Sequence, residues 1–93
     1  MIFEENYLLD VIDQLTWDEQ AAKVDEAGNK VKITIEDLLV GTGFNDTQIT
    51  ILLNNLKKRK LISDSRSFSG ANEGWFATRY GHQAVFYRRG GKN

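Results

Sequence analysis

The chain has 93 residues, 41% of them hydrophobic and 27% charged, with a net charge of −1; this composition suits one globular domain over residues 1–93 and is too short for two cores. It contains no cysteine, which excludes disulfide and thiolate chemistry and makes a reducing cytoplasm the expected setting. No apolar run approaches the ~20 residues needed to span a bilayer, and Met1-Ile2-Phe3-Glu4-Glu5 lacks the basic start and apolar stretch of a signal peptide, so no membrane partner is expected.

A first helix is predicted from about Glu4 to Trp17, because Leu8, Val11, Ile12 and Leu15 share one face. Thr16-Trp17-Asp18-Glu19 also has the form of a capping box that would restart a helix there. Residues 20–33 read either as a helix through Ala27 stopped at Gly28 or as a hairpin; the hairpin is preferred because turn formers around Gly28 separate short segments. Thr34 then caps a short helix whose first turn holds Glu36 and Asp37 and which Gly41 and Gly43 end. The clearest periodicity follows. A helix capped by Asn45 or Asp46 runs to about Lys60 with Ile49, Leu52, Leu53 and Leu56 inward, and with Thr47, Ile51, Asn54 and Lys58 on the opposite side. Strands are predicted at Leu61–Ser67 and Trp75–Thr78 around a polar tip, then a last helix from about Arg79 to Arg89. Residues 1–3 and 90–93 read as frayed ends.

The small net charge hides a division. Residues 1–44 carry three lysines and ten acids, a net of −7, whereas residues 45–93 carry nine basic and three acidic residues, a net of +6. Such asymmetry fits a nucleic-acid-facing half backed by an acidic half, or two surfaces that attract each other within the domain or between subunits.

The order of elements, together with two stretches of sequence, resembles the winged helix-turn-helix family of transcription regulators, including its MarR-like and PadR-like groups. The first stretch is Gly43-Phe44-Asn45-Asp46-Thr47-Gln48-Ile49-Thr50-Ile51-Leu52-Leu53-Asn54-Asn55-Leu56-Lys57-Lys58-Arg59-Lys60-Leu61-Ile62: a glycine turn, a polar cap, a helix with leucines on one face and a basic exit into a strand. The second is Thr78-Arg79-Tyr80-Gly81-His82-Gln83-Ala84, similar to the Thr-x-x-Gly-x-x-Ala stretch that opens the last helix in many members. The resemblance covers roughly residues 34–88. It implies an α+β fold with a three-helix core, a C-terminal two-stranded wing and a further helix, with the 20–33 hairpin as an addition.

It also implies sequence-specific binding of double-stranded DNA, with helix 45–60 in the major groove. Asn45, Thr47, Gln48 and Thr50 would then contact bases or phosphates, with Asn54 and Asn55 one turn further on, since amides pair with adenine and threonine meets phosphate or a thymine methyl. Lys57, Lys58 and Arg66 would neutralise backbone charge. The implied assembly is a homodimer through the first and last helices, carrying Tyr7, Leu8, Val11, Val85 and Phe86. The alternative is an interaction module on the same fold that does not bind DNA, whose acidic half docks a basic protein partner and whose Ile51 is a contact residue.

Other features carry plainer readings. Lys57-Lys58-Arg59-Lys60 serves equally as a solvated helix end that complements the helix dipole. His82, the single histidine, lacks companions for a metal site or a catalytic triad and reads as structural or surface. Most of the aromatic residues are expected in the core and at the base of the wing, with Trp75 and Phe76 on opposite sides of their strand. Gly41-Thr42-Gly43 lacks the preceding strand and the lysine of a phosphate loop. No cofactor, metal or enzymatic activity is expected.

Overall fold

A computed structural model describes residues 2–18, 20–28, 31, 33–64, 75–88 and 90. Among them, four helices and a two-stranded antiparallel sheet make a small α+β fold: α1 (Ile2–Trp17), α2 (Ile35–Thr42), α3 (Asp46–Lys58), β1 (Ile62–Asp64), β2 (Trp75–Ala77) and α4 (Arg79–Arg88). No helix of the described residues is long and apolar enough to cross a membrane.

The core is aliphatic. Leu8, Leu9 and Ile12 of α1 meet Leu38 of α2, Ile49, Leu52, Leu53 and Leu56 of α3, and Val85 of α4, closed by Ile33, Leu61, Ile62 and Ala77. All four residues read as the inner face of α3 are buried. On α1 the buried stripe includes Leu9, while Val11 and Leu15 are only partly covered, because α1 packs against α2 and α3 and also against β2 and α4. The aromatic residues depart from expectation: Phe3, Tyr7, Trp17, Tyr80, Phe86 and Tyr87 are exposed, and Trp75 and Phe76 are both half-buried. The tight interior is filled by branched aliphatic side chains, which leaves the larger rings at its rim.

Capping fixes the helix boundaries. Thr34 and Asp37 form a reciprocal capping box on α2, and the Lys23 ammonium lies 2.6 Å from Asp37 Oδ2. Partial burial opposes the charge on Asp37, but the Lys23 ammonium and the hydrogen bonds from the Thr34 backbone and hydroxyl outweigh it and hold the carboxyl below its ordinary value. Gly43 ends α2 with φ 77°, a left-handed conformation natural to glycine. Gly41 does not end the helix but lies within it, where a Cβ would stand 3.1 Å from Val11 Cγ1. Asn45 caps α3, its side-chain oxygen accepting the Gln48 N–H at 2.8 Å.

The capping-box reading of Thr16 fails. Its hydroxyl donates back to the Ile12 carbonyl at 2.7 Å and accepts the Ala77 N–H at 3.1 Å. After α1, Asp18 accepts hydrogen bonds from the Gln20 and Ala21 amides, and no helix follows through Ala27. Gly28, at φ 85°, closes a turn by donating to the Asp25 carbonyl at 3.0 Å, and the Val31 N–H reaches the Lys23 carbonyl at 3.3 Å. These contacts have the form of a hairpin turn, while Asn29, Lys30 and Lys32 lie outside the described residues.

In the sheet, Ile62 pairs with Ala77, Ser63 with Phe76 and Asp64 with Trp75. The far edge of β2 is covered. Trp75 donates its N–H to the Ile33 carbonyl at 2.9 Å, Thr16 takes the Ala77 N–H, and the Trp17 indole donates to the Ala77 carbonyl at 2.9 Å. An edge strand that would otherwise offer free backbone groups is thereby satisfied within the domain. Antiparallel to α1, α4 is held by His82 on Asp13 and by Arg88 on Asn6 and Asp10.

Candidate nucleic-acid interface

The turn from α2 to α3 occupies residues 43–45, and the Asn45 cap starts α3 directly after it. Burying Ile49, Leu52, Leu53 and Leu56 forces the remaining side of α3 outward. Thr47, Thr50, Ile51, Asn54 and Lys58 are all exposed there.

The predicted contact residues divide by what else they do. Asn45 spends its side-chain oxygen on the helix cap, which leaves its amide nitrogen for an outside acceptor. Thr47 and Asn54 are exposed, and Gln48 is half-buried at the first turn. Thr50 donates its hydroxyl to the Asp46 carbonyl at 2.9 Å, so it can offer an outside group its methyl and lone pairs but no proton. Asn55 turns the other way, donating to Glu5 Oε2 of α1 at 3.3 Å. The structure therefore places Asn55 in an inter-helix contact, off the face formed by its neighbour Asn54. Arg66 lies outside the described residues, as do Phe68 and Glu73 of the expected wing.

The basic run splits in the same way. Lys57 reaches Asp64 Oδ2 at 3.1 Å and lies 5.9 Å from the centre of the Trp75 ring. Arg59 pairs with Glu5 Oε1 at 2.9 Å, and Glu5 is a carboxylate left only 8% exposed. Among the described residues, Lys58 and Lys60 have no acidic partner. Lys57 and Arg59 thus serve ion pairs across the fold, whereas Lys58 and Lys60 stand exposed at the helix end, compatible with either the solvated-end or the phosphate-binding reading.

One cation missed by the sequence reading is Arg79, which the fold brings beside Lys60 of the basic run. α3 ends with the Lys60 N–H on the Lys57 carbonyl at 2.9 Å and the Leu61 N–H on the Leu56 carbonyl at 3.1 Å, the pairing of a Schellman motif. Lys60 takes the left-handed position at φ 62°. The Thr78 hydroxyl donates to the Lys60 carbonyl at 2.8 Å, which brings Arg79, exposed and without an acidic partner among the described residues, to the same junction. Lys58, Lys60 and Arg79 therefore gather where α3 ends and α4 begins. Lys60 was legible as part of a basic run; Arg79 is brought near it only by the Thr78 contact.

His82 is structural in its contacts: Nδ1 lies 2.7 Å from Oδ1 of buried Asp13, and its ring stacks on Trp17 with centroids 5.1 Å apart. Of the residues expected at a subunit contact, Leu8 and Val85 are interior and cannot line one, whereas Tyr7 and Phe86 are exposed. No protein-family model matches the chain, and no curated protein or solved structure matches it either.

Proposed function

We propose that the protein is a winged-helix DNA-binding domain that acts as a small transcription regulator in the cytoplasm, with α3 as the helix that enters the major groove and residues 61–78 as the wing. One observation carries the reading: a helix with a fully apolar inner face presents two threonines, an amide and Lys58, which has no acidic partner among the described residues, outward along one side. A helix of this kind fits the width of the major groove, and its side chains match the donors and acceptors of base edges. Lys58, Lys60 and Arg79 supply the positive charge that phosphates require. Within the basic second half, Arg59 and Arg88 are spent on Glu5 and Asp10 of the first, and the remaining cations favour the same orientation.

A second reading has its own support. The acidic first half, net −7 over residues 1–44, suits contact with a basic protein surface. That contact is either a second copy, giving a DNA-binding homodimer, or a different protein partner, giving an interaction module without DNA.

Fluorescence-polarisation titration of random-sequence duplex DNA at about 50 and 200 mM salt separates these readings. For a DNA-binding domain, affinity falls steeply between the two salt concentrations and weakens in an Asn54→Ala, Lys58→Ala double variant. Absence of binding at the lower salt overturns the DNA reading in favour of the interaction module.

A further inference from the structure

We infer that Ile51 is a specificity-determining residue that reads the 5-methyl group of thymine, beside an adenine read by Asn54. The inference rests on the DNA-binding reading above and gives it a sequence preference for A·T pairs.

Ile51 lies in the middle of α3 and is 46% exposed, although the inner face of the helix is filled by Ile49, Leu52, Leu53 and Leu56. It is not needed in the core. Its neighbours along the outward side are Thr47, one turn before, and Asn54, one turn after, with Thr50 and Lys58 flanking them. An isolated apolar side chain among hydroxyls and amides differs from the contiguous apolar patch that marks a protein contact. In the major groove, an A·T pair offers the same mixture: the adenine N7 acceptor and N6 donor, the thymine O4 acceptor and one methyl group. The Asn54 side chain has no hydrogen-bond partner among the described residues, so its oxygen and nitrogen can both engage the adenine edge. Three residues of helix rise separate Ile51 from Asn54, about 4.5 Å along the axis, comparable with the ~3.4 Å step between stacked base pairs. The two side chains can therefore meet the same or adjacent pairs. The charge of the flanking Lys58 suits a phosphate at the edge of that groove.

The test replaces thymine by uracil, which removes the methyl and leaves every hydrogen-bonding group. Duplexes enriched on the protein from a random library are synthesised in both forms and titrated against wild type and Ile51→Ala, with circular dichroism confirming that the variant is folded. The expected result is a loss of about three- to fivefold in wild-type affinity for each contacted methyl removed, from the cost of exposing one such group, and little or no such loss in Ile51→Ala. Equal wild-type affinity for both forms, a uracil penalty that persists in Ile51→Ala, or binding with no sequence enriched overturns the inference while leaving DNA binding intact. Failure to bind any duplex overturns both.

Discussion

Gly81 packs so closely on Leu61 that a Cβ built on the glycine would stand 2.0 Å from the Leu61 carbonyl oxygen. That oxygen also accepts the Thr78 N–H at 3.1 Å and lies 3.1 Å from the Thr78 hydroxyl, whose single proton it shares with the Lys60 carbonyl, while the Gly81 N–H donates to the Thr78 hydroxyl at 3.0 Å. Thr78 and Gly81 thus form one clasp that seats the start of α4 on Leu61, in the link from α3 to β1. The spacing Thr-x-x-Gly acquires a physical reason: the threonine caps the helix, and only a residue without Cβ leaves room for the carbonyl it holds.

Substituting Gly81→Ala therefore sets two effects against each other. Alanine favours a helix by up to about 1 kcal/mol, but the clash is with backbone and cannot be relieved by a side-chain rotation. Overpacking costs of about 1–3 kcal/mol, sometimes more, decide the sign. The variant is expected to lose about 2 kcal/mol or more in urea unfolding. An unchanged or raised midpoint would show that α4 is not seated tightly on Leu61.

At Lys60, stability and binding are expected to move in opposite directions. A left-handed φ costs an ordinary residue about 1–2 kcal/mol, and glycine offsets part of that gain through its freer unfolded chain. Lys60→Gly should stabilise the fold by about 0.5–1 kcal/mol in urea unfolding. Where Lys60 neutralises one phosphate, the same change flattens the slope of log affinity against log salt by about 0.9. A stabilised variant with an unchanged slope would remove Lys60 from the interface.

How much of this was legible in sequence depended on distance along the chain. The inner face of α3 and the Thr34 cap are set by residues within a few positions of one another, and local spacing identified them; the choice of Asn45 over Asp46 as the α3 cap and the reciprocal Asp37 bond came only with the structure. Thr16 misled because the same hydroxyl that could have capped a helix is taken by Ile12 and by Ala77, far along the chain. Likewise, which cations are free depended on Glu5 and Asp64 reaching Arg59 and Lys57 across the fold. Helical spacing alone placed Asn54 on the outward side with Thr47, Ile51 and Lys58, but Asn55 was also expected at DNA, and its contact with Glu5 of α1 is visible only in the packed fold.

The pH dependence of α2 follows from Asp37. Its carboxyl is held below its ordinary value when folded, so the folded state favours the ionised form. The stabilisation is fully present above the unfolded value, about 4, and is lost as pH falls through the lower folded value. Replacing Asp37 by asparagine removes that dependence. Urea unfolding at pH 7, 5 and 3 should show wild type losing more of its stability toward pH 3 than Asp37→Asn. Parallel pH profiles would mean that the Lys23 pairing contributes nothing to folding.

Asn54 and Asn55 offer the sharpest separation of interface from scaffold. Asn55 donates to Glu5, which is buried and also receives Arg59. Truncating Asn55 to alanine leaves the carboxylate with one donor fewer and should cost about 1 kcal/mol of stability, with DNA affinity little changed once the protein is folded. Truncating exposed Asn54 should leave the unfolding midpoint within about 0.5 kcal/mol of wild type and weaken binding to enriched duplexes by roughly tenfold, as loss of a bidentate adenine contact implies. The reverse pattern, with Asn55→Ala losing DNA and Asn54→Ala losing stability, would mean that α3 meets its partner through the side facing α1, and the outward face would have to be reassigned.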